Sequence, residues 1–170
     1  MKIIAVYEST RNSEGHTGKG ILVWPDSVMI RSRKPLFLPD DGVYYIHEGI
    51  GARIDAVGKS IHKKFARRYY DEICAIAYIL PESVSDCLIQ KADPVACDIA
   101  ADYTLICGDY IPALETETEI NEAISIASCR NTLKTGDIVA IIFRERRKAE
   151  RDSVLKISLR GNTLIENKLK

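Results

Sequence analysis

Gly58-Lys-Ser-Ile-His-Lys-Lys-Phe-Ala-Arg-Arg-Tyr-Tyr-Asp-Glu-Ile73 is the stretch on which the architecture of this chain turns. Within it Ile61, Phe65, Tyr69 and Ile73 recur every four residues, and Lys63, Lys64, Arg67 and Arg68 fill the other faces. That spacing predicts an amphipathic helix, with Ser60 as its N-cap. A second short stretch, Leu133-Lys-Thr-Gly-Asp137, turns into the strongly apolar strand Ile138–Phe143.

Upstream, Lys2–Tyr7 is rich in β-formers and reads as a first strand, followed by a loop over the glycine-rich Ser9–Gly20. Ile21–Trp24 and Val28–Ile30 read as short strands broken by Pro25-Asp26-Ser27. Leu36-Phe-Leu38 lies between two prolines, and Asp40-Asp-Gly42 is a turn before a strand at Val43–Ile46. Beyond the opening helix, a short helix is expected over Ser83–Lys91 and another after Asp93-Pro94, then a buried strand Thr104–Cys107 ending at Gly108. The acidic Glu115–Glu119 leads into a helix over Ile120–Ser128, whose start favours negative charge. Arg144–Arg151 reads as a charged connection, and Val154–Leu159 with Thr163–Leu169 as a hairpin around Arg160-Gly-Asn162. Without repeats or low-complexity linkers, residues 1–170 read as a single α+β domain.

The chain has 170 residues, of which 46% are hydrophobic and 28% charged, enough for one core and far from a disordered composition. Lys plus Arg (24) equals Asp plus Glu (24), so no whole-protein field selects nucleic acid or an anionic membrane. The run before Glu8 is too short and too weakly basic for a signal peptide or a membrane span, and the expected location is cytoplasmic. Cys74, Cys87, Cys97, Cys107 and Cys129 are odd in number and widely spaced, the pattern of reduced, buried thiols rather than a disulfide framework or zinc site.

The two stretches quoted first resemble, in order and at workable spacing, two landmark segments of the fumarylacetoacetate hydrolase family, metal-dependent enzymes that act on carbon–carbon bonds of oxo acids. The likeness is spread over nearly the whole chain. Arg11-Asn-Ser-Glu-Gly-His16 is similar to the family's Asn-Tyr-x-x-His segment, and Trp24-Pro-Asp-Ser27 to its Lys-Pro-x-Ser. Pro35–Asp40 resembles the approach to the metal site, Asp102–Gly108 the strand after Lys-x-x-Asp, and Asp152–Lys170 the closing hairpin. The resemblance implies a mixed β-sandwich roll with a few short helices, assembled as a homodimer.

It also implies magnesium or manganese held by a Glu-x-Glu pair and a later aspartate, since hard cations prefer anionic oxygen. Those positions here are His47, Gly49 and Tyr78, so neither metal nor another cofactor is expected. Glu48 lies between the first two and, on a strand, points to the opposite face unless a one-residue bulge re-aims it. The family's two lysines fall at Trp24 and Ile99, its Arg-Asp at Glu82-Ser83, and its Thr-Gly-Thr-Pro at Ile141-Ile-Phe-Arg144. A stretch of strands over the active site is reduced to Leu114–Glu119.

His16 is the one catalytic-type residue at a matching position. In resembling enzymes a glutamate three residues on orients it; here Lys19 stands there, a cation that disfavours a protonated imidazole. Arg11, Asn12 and Glu48 are the remnant binding residues around it. These departures lead to the expectation of a non-catalytic homologue acting through binding or protein interaction. The alternative is a hydrolase or decarboxylase of a small oxo acid, of acylpyruvate or oxaloacetate type, with a rearranged site around His16 and Glu48; a sensor using the cleft without chemistry is a third possibility.

Other constellations carry less. His47, Glu48 and His62 have no metal-ligand spacing, and His62 belongs to a solvated helix face. Lys63-Lys-x-x-Arg-Arg68 and Arg144-x-Arg-Arg-Lys148 are flanked by acids, which argues against nucleic acid as a partner. Gly15-x-x-Gly-Lys-Gly20 lacks the Gly-Lys-Ser/Thr ending of a phosphate loop and opens no helix. A Gly-x-Ser-x-Gly elbow is missing, so a serine hydrolase is unsupported.

Overall fold

The computed structural model describes residues 1–10, 17–39, 42–86, 88–89 and 102–170. In chain order these form β1 (Lys2–Thr10), β2 (Thr17–Pro25), a short 3-10 turn (Asp26–Val28), β3 (Met29–Arg31), β4 (Tyr44–Arg53), a 3-10 helix (Lys63–Tyr69), β5 (Glu72–Pro81) and α1 (Glu82–Asp86). Then come β6 (Leu105–Pro112), α2 (Thr118–Arg130), β7 (Ile138–Lys148), β8 (Val154–Leu159) and β9 (Asn162–Lys168). One mixed sheet has the order β2-β1-β7-β4-β5-β6-β3, and β8 pairs with β9 as a separate hairpin. Within the sheet, β1 runs parallel to β7 and β3 to β6, while the other neighbours are antiparallel.

Strand periodicity sorts the apolar residues onto two faces, and both are buried. Ile3, Ala5, Tyr7, Cys74, Ile76, Tyr78, Leu105, Cys107, Ala140 and Ile142 point to one side, where Leu22, Trp24 and Val84 join them. Trp24 on β2 and Tyr78 on β5 are four strands apart, a separation of about 19 Å in a flat sheet at ~4.8 Å per strand. Their ring centroids are 4.7 Å apart, so the sheet curls until this face closes on itself. The fold is thus the α+β roll that the resemblance implies.

The opposite face has two covers. The hairpin β8–β9 brings Leu155, Ile157, Leu164 and Ile165 onto Ile46, Ala75, Ala77 and Ile79. At the other end, α2 buries Ile120, Ala123, Ile124, Ala127 and Ser128 against Ile4, Val6, Ala52 and Val139, an i, i+3, i+4, i+7, i+8 stripe. Each isoleucine so buried is worth roughly 2 kcal/mol.

The two landmark segments meet directly. Gly58 and Leu133 exchange both backbone hydrogen bonds, at 3.1 and 2.8 Å, and Ser60 N donates to Ser128 O at 2.9 Å. Gly136, at φ +88, turns the chain so that its N–H reaches Ile54 O. Asp137 is almost fully buried and its carboxylate accepts from Lys2 N (3.0 Å), Lys2 Nζ (2.5 Å) and Lys134 N (2.9 Å). Burial alone raises its pKa, yet the Lys2 ammonium and the two backbone donors outweigh that and hold the carboxyl below its ordinary value. The late segment therefore ties the first strand, the end of β4 and the start of β7 together.

Several expectations are corrected. The amphipathic helix over 61–73 is a 3-10 helix confined to Lys63–Tyr69, capped not by Ser60 but by His62, whose Nδ1 accepts from Lys64 N at 3.3 Å. Three residues per turn bring Ala66 inward and leave Phe65 41% exposed. Ile73 belongs to β5, because Ile73–Leu80 is an unbroken apolar run that the sheet buries on both faces. Strands outrun their predicted ends: β1 reaches Thr10, β4 reaches Arg53, β6 passes Gly108, and β7 continues through the supposed connection to Lys148. The hairpin turn is Arg160-Gly161, both at positive φ, with Asn162 already in β9. The Ser83–Lys91 helix starts one residue early as α1 (Glu82–Asp86), and Leu88 and Ile89 are π-helical; Cys87, Gln90 and Lys91, the Asp93-Pro94 helix and most of the Asp40-Asp-Gly42 turn lie outside the described residues. Cys74 and Cys107 are buried thiols, whereas Cys129 is exposed; Cys87 and Cys97 lie outside the described residues.

Candidate functional site

His47, Gly49 and Tyr78 do come together, on the closed face of the roll. His47 pairs in register with Tyr78, and Gly49 with Ile76, so all three project to the same side of adjacent strands. None offers a carboxylate. Tyr78 is fully buried and packs its ring on Trp24, whose own Nε1 has no hydrogen-bond partner among the described residues. A Cβ at Gly49 would lie 2.1 Å from Ile141 O, so β7 occupies the space a ligand side chain would need.

The imidazole of His47 is already engaged. Its Nδ1 lies 3.3 Å from Phe143 O, which can only accept, so this nitrogen carries the proton. Nε2 then accepts from the Ser85 hydroxyl at 2.8 Å, and Ser85 Oγ accepts from Arg146 Nη1 at 2.6 Å. Arg146 also pairs with Asp86 at 2.7 Å and stacks over Tyr45 at 3.9 Å. Burial, followed by the Arg146 charge, lowers the His47 pKa, and the neutral ring is the stable form. A serine beside a histidine is a nucleophile's arrangement, but both side chains are buried. The remaining void, bordered by Tyr7, His47, Leu88 and Ile142, is about 10 Å³, the lower limit for a single water.

Magnesium and manganese, which the resemblance implies, do not fit these residues. A hard cation needs several oxygen ligands and usually keeps waters of its own, and this locus supplies a saturated imidazole, a glycine without space and a buried phenol packed against Trp24. No group of three or more His, Cys, Asp or Glu among the described residues could hold a metal ion.

Glu48 is on the other face. The β4–β5 register is unbroken through it, and the irregularity between His47 and Gly49 places the extra residues on β7, so the strand alternation persists. Its carboxylate is 41% exposed and pairs with Arg147 Nε at 3.0 Å, in a shallow depression of about 230 Å³ away from His47. His16, Arg11 and Asn12 lie outside the described residues. His62 is exposed, far from any ligand set, and serves as a cap.

A roomier cavity of about 390 Å³ opens beside the filled locus. It is lined by Val6, Tyr7, Ala123 and Ile141 with the charged Lys19, Arg144, Glu119 and Glu145, between β1, β2, β7 and α2. Lys19 is held by Glu122 at 2.5 Å, and Arg144 donates to Ile89 O at 3.4 Å. Sequence reasoning missed the Ser85–Arg146 network, because Ser85 and Arg146 are 38 and 61 residues from their respective partners. The only hint was the arginine run itself, which β7 carries to the edge of the locus.

No family model matches the sequence, and no curated protein matches it either. Solved structures do match. A fumarylpyruvate hydrolase from Pseudomonas aeruginosa, solved with Mn2+ and pyruvate, superposes at a TM-score of 0.80 with 13% identity, covering 100% of this chain and 90% of that one. A fumarylacetoacetate hydrolase family protein from Yersinia pestis CO92 gives 0.79 with 18% identity over 99% and 92%. A 5-carboxymethyl-2-hydroxymuconate delta-isomerase from Mycobacterium smegmatis gives 0.76 with 18% identity over 99% and 78%. The chain has the fumarylacetoacetate hydrolase-like fold from end to end.

Proposed function

We propose that this chain is a non-catalytic representative of a fold otherwise found in hydrolases and isomerases, and that it acts by binding a small oxo-acid anion. The observation that carries this is the filled locus: Trp24 packed against Tyr78, β7 against Gly49, and about 10 Å³ left beside His47. Chemistry on an oxo acid needs an electrophilic centre to stabilise the developing enolate or oxyanion. These residues supply none.

Binding needs less. The 390 Å³ cavity falls in the range of small-molecule sites, with Val6, Ala123 and Ile141 on its apolar side and two cations, Lys19 and Arg144, alongside two acids, Glu119 and Glu145. Lys19 and Arg144 are the groups that would meet an anion of the kind that the Pseudomonas aeruginosa structure holds as pyruvate. The homodimer belongs to the same proposal and is checked by light scattering on the eluted species.

Oxaloacetate is the probe that tests this function. It should raise the melting temperature in proportion to the logarithm of its concentration, as linkage requires, without being consumed. Turnover of oxaloacetate or an acylpyruvate that vanishes in His16→Ala would replace this account with the rearranged enzyme. No thermal shift with any oxo acid, and no turnover, would leave protein interaction as the role.

A further inference from the structure

Two thiols on the closed face of the roll are used by nothing above. Cys74 on β5 and Cys107 on β6 are both buried, and their sulfurs lie 3.4 Å apart. They face each other where the ladder is irregular: Cys74 pairs with Tyr110 and Ile76 with Cys107, so Gly108 and Asp109 stand opposite Ala75 alone. Gly51, across from Cys74 on β4, has no side chain to crowd the sulfur.

The surroundings are polar on one side only. Arg31 from β3 donates from Nη1 toward Cys107 Sγ at 3.9 Å, and Tyr110 Oη lies 3.5 Å from the same sulfur. The Arg31 and Arg53 guanidinium groups stack on the Tyr110 ring at 5.7 and 5.0 Å. Asp109, the nearest acid in sequence, is paired with Arg33 at 2.7 Å. Arg31 is exposed and Tyr110 half-buried, so one layer of side chains separates Cys107 from solvent.

We propose that Cys107 and Cys74 form a redox site in which a hydroperoxide oxidises Cys107 and Cys74 closes a cross-strand disulfide. The Cys107 thiolate attacks the outer oxygen of ROOH, forming an S–O bond as the O–O bond breaks, and RO⁻ takes a proton and leaves as ROH. Cys74 then loses its proton and attacks the Cys107 sulfenic acid. An S–S bond forms, and the departing hydroxide leaves with that proton as water. Two thiols are oxidised by two electrons in all, and one peroxide is reduced.

The division of roles follows from the contacts. The hydrogen bond with Cys74, then the contact with Tyr110 and the charge of Arg31, pull the Cys107 thiol down to about 7 against its burial, while Cys74, which gives its proton to the Cys107 sulfur, is pushed up. Cys107 is therefore the attacking sulfur and Cys74 the resolving one. Closing 3.4 Å to about 2.0 Å requires local movement, and a bulge provides it at a point where the ladder is already broken. This inference is independent of the oxo-acid proposal.

The test uses the whole wild-type chain, micromolar hydrogen peroxide, an acid quench, alkylation in denaturant and peptide mass spectrometry without reduction. A Cys74–Cys107 linked peptide pair should form about tenfold faster than oxidation of the exposed Cys129. In Cys74→Ser, Cys107 should instead be trapped by dimedone as a sulfenic acid. Arg31→Met should slow the linkage about tenfold and raise the pH midpoint of Cys107 alkylation. Both thiols staying fully alkylatable while Cys129 is oxidised would overturn the proposal, as would linkage of Cys107 to any other cysteine. The wild-type measurement decides even if a variant fails to fold.

Discussion

Two regions at opposite ends of β4 resemble the same family to very different degrees. Around Gly58, Leu133 and Asp137 the polar atoms are consumed in holding backbone: Asp137 accepts from two N–H groups and an ammonium, and Gly58 and Leu133 exchange hydrogen bonds. Around His47, Gly49 and Tyr78 the side chains hold one another, by the tilted packing of Trp24 on Tyr78 and by the Ser85–Arg146 network. Resemblance persists where residues build the chain's path and lapses at the positions where the sequence resemblance implies metal ligands. A landmark segment is therefore a statement about architecture, and activity has to be argued from the other end of the strand.

The strongest challenge to this contrast is Trp24→Ala, which should lower the free energy of unfolding by about 4 kcal/mol in urea titrations, as expected for a large buried aromatic. A loss below about 1 kcal/mol would mean that the locus is not a packed plug. Asp137→Ala should cost about 3 kcal/mol by leaving Lys2 and the N–H of Lys134 without their acceptor. A near-neutral result would remove the clamp from the account.

Acidification weakens both regions, but in different pH windows. His47 is buried neutral with a pKa below its ordinary 6.5, so the unfolded chain binds more protons and stability falls with pH. Its contribution is complete above pH 6.5 and is lost as pH drops from there toward the folded-state value. Asp137 sits below its ordinary 3.8, so its contribution persists down to that pH and is lost beneath it. Urea midpoints measured from about pH 7.5 to 5 should fall, and His47→Gln should flatten that part of the profile while Asp137→Asn does not. The smallest effect belongs to Glu48→Gln, within about 0.5 kcal/mol, because its pair with Arg147 is exposed and screened.

Much of the fold was legible because its signals are local: the run of β-formers in β1, the stripe on α2, the glycine before Asp137. Strand ends were less so, since β7 carries Arg144–Lys148 along β4 beyond the last residue that pairs with β1, where charge is no obstacle to pairing. The first helix misled because period four and period three differ by one residue at Phe65. At the site, the substitutions at 47, 49 and 78 could be read directly and their shared face follows from strand alternation. What replaced the metal could not be read, because Trp24 meets Tyr78 only once the sheet has curled, and Ser85 meets His47 only across a turn. The thiol pair is hidden for the same reason, 33 residues apart in sequence and 3.4 Å apart in space.

Calorimetric titration of the intact chain with Mn2+ and then Mg2+ at neutral pH tests the central claim most directly. The filled locus predicts no stoichiometric heat beyond dilution. A one-to-one site of micromolar affinity or better, on the order of −8 kcal/mol, would contradict it.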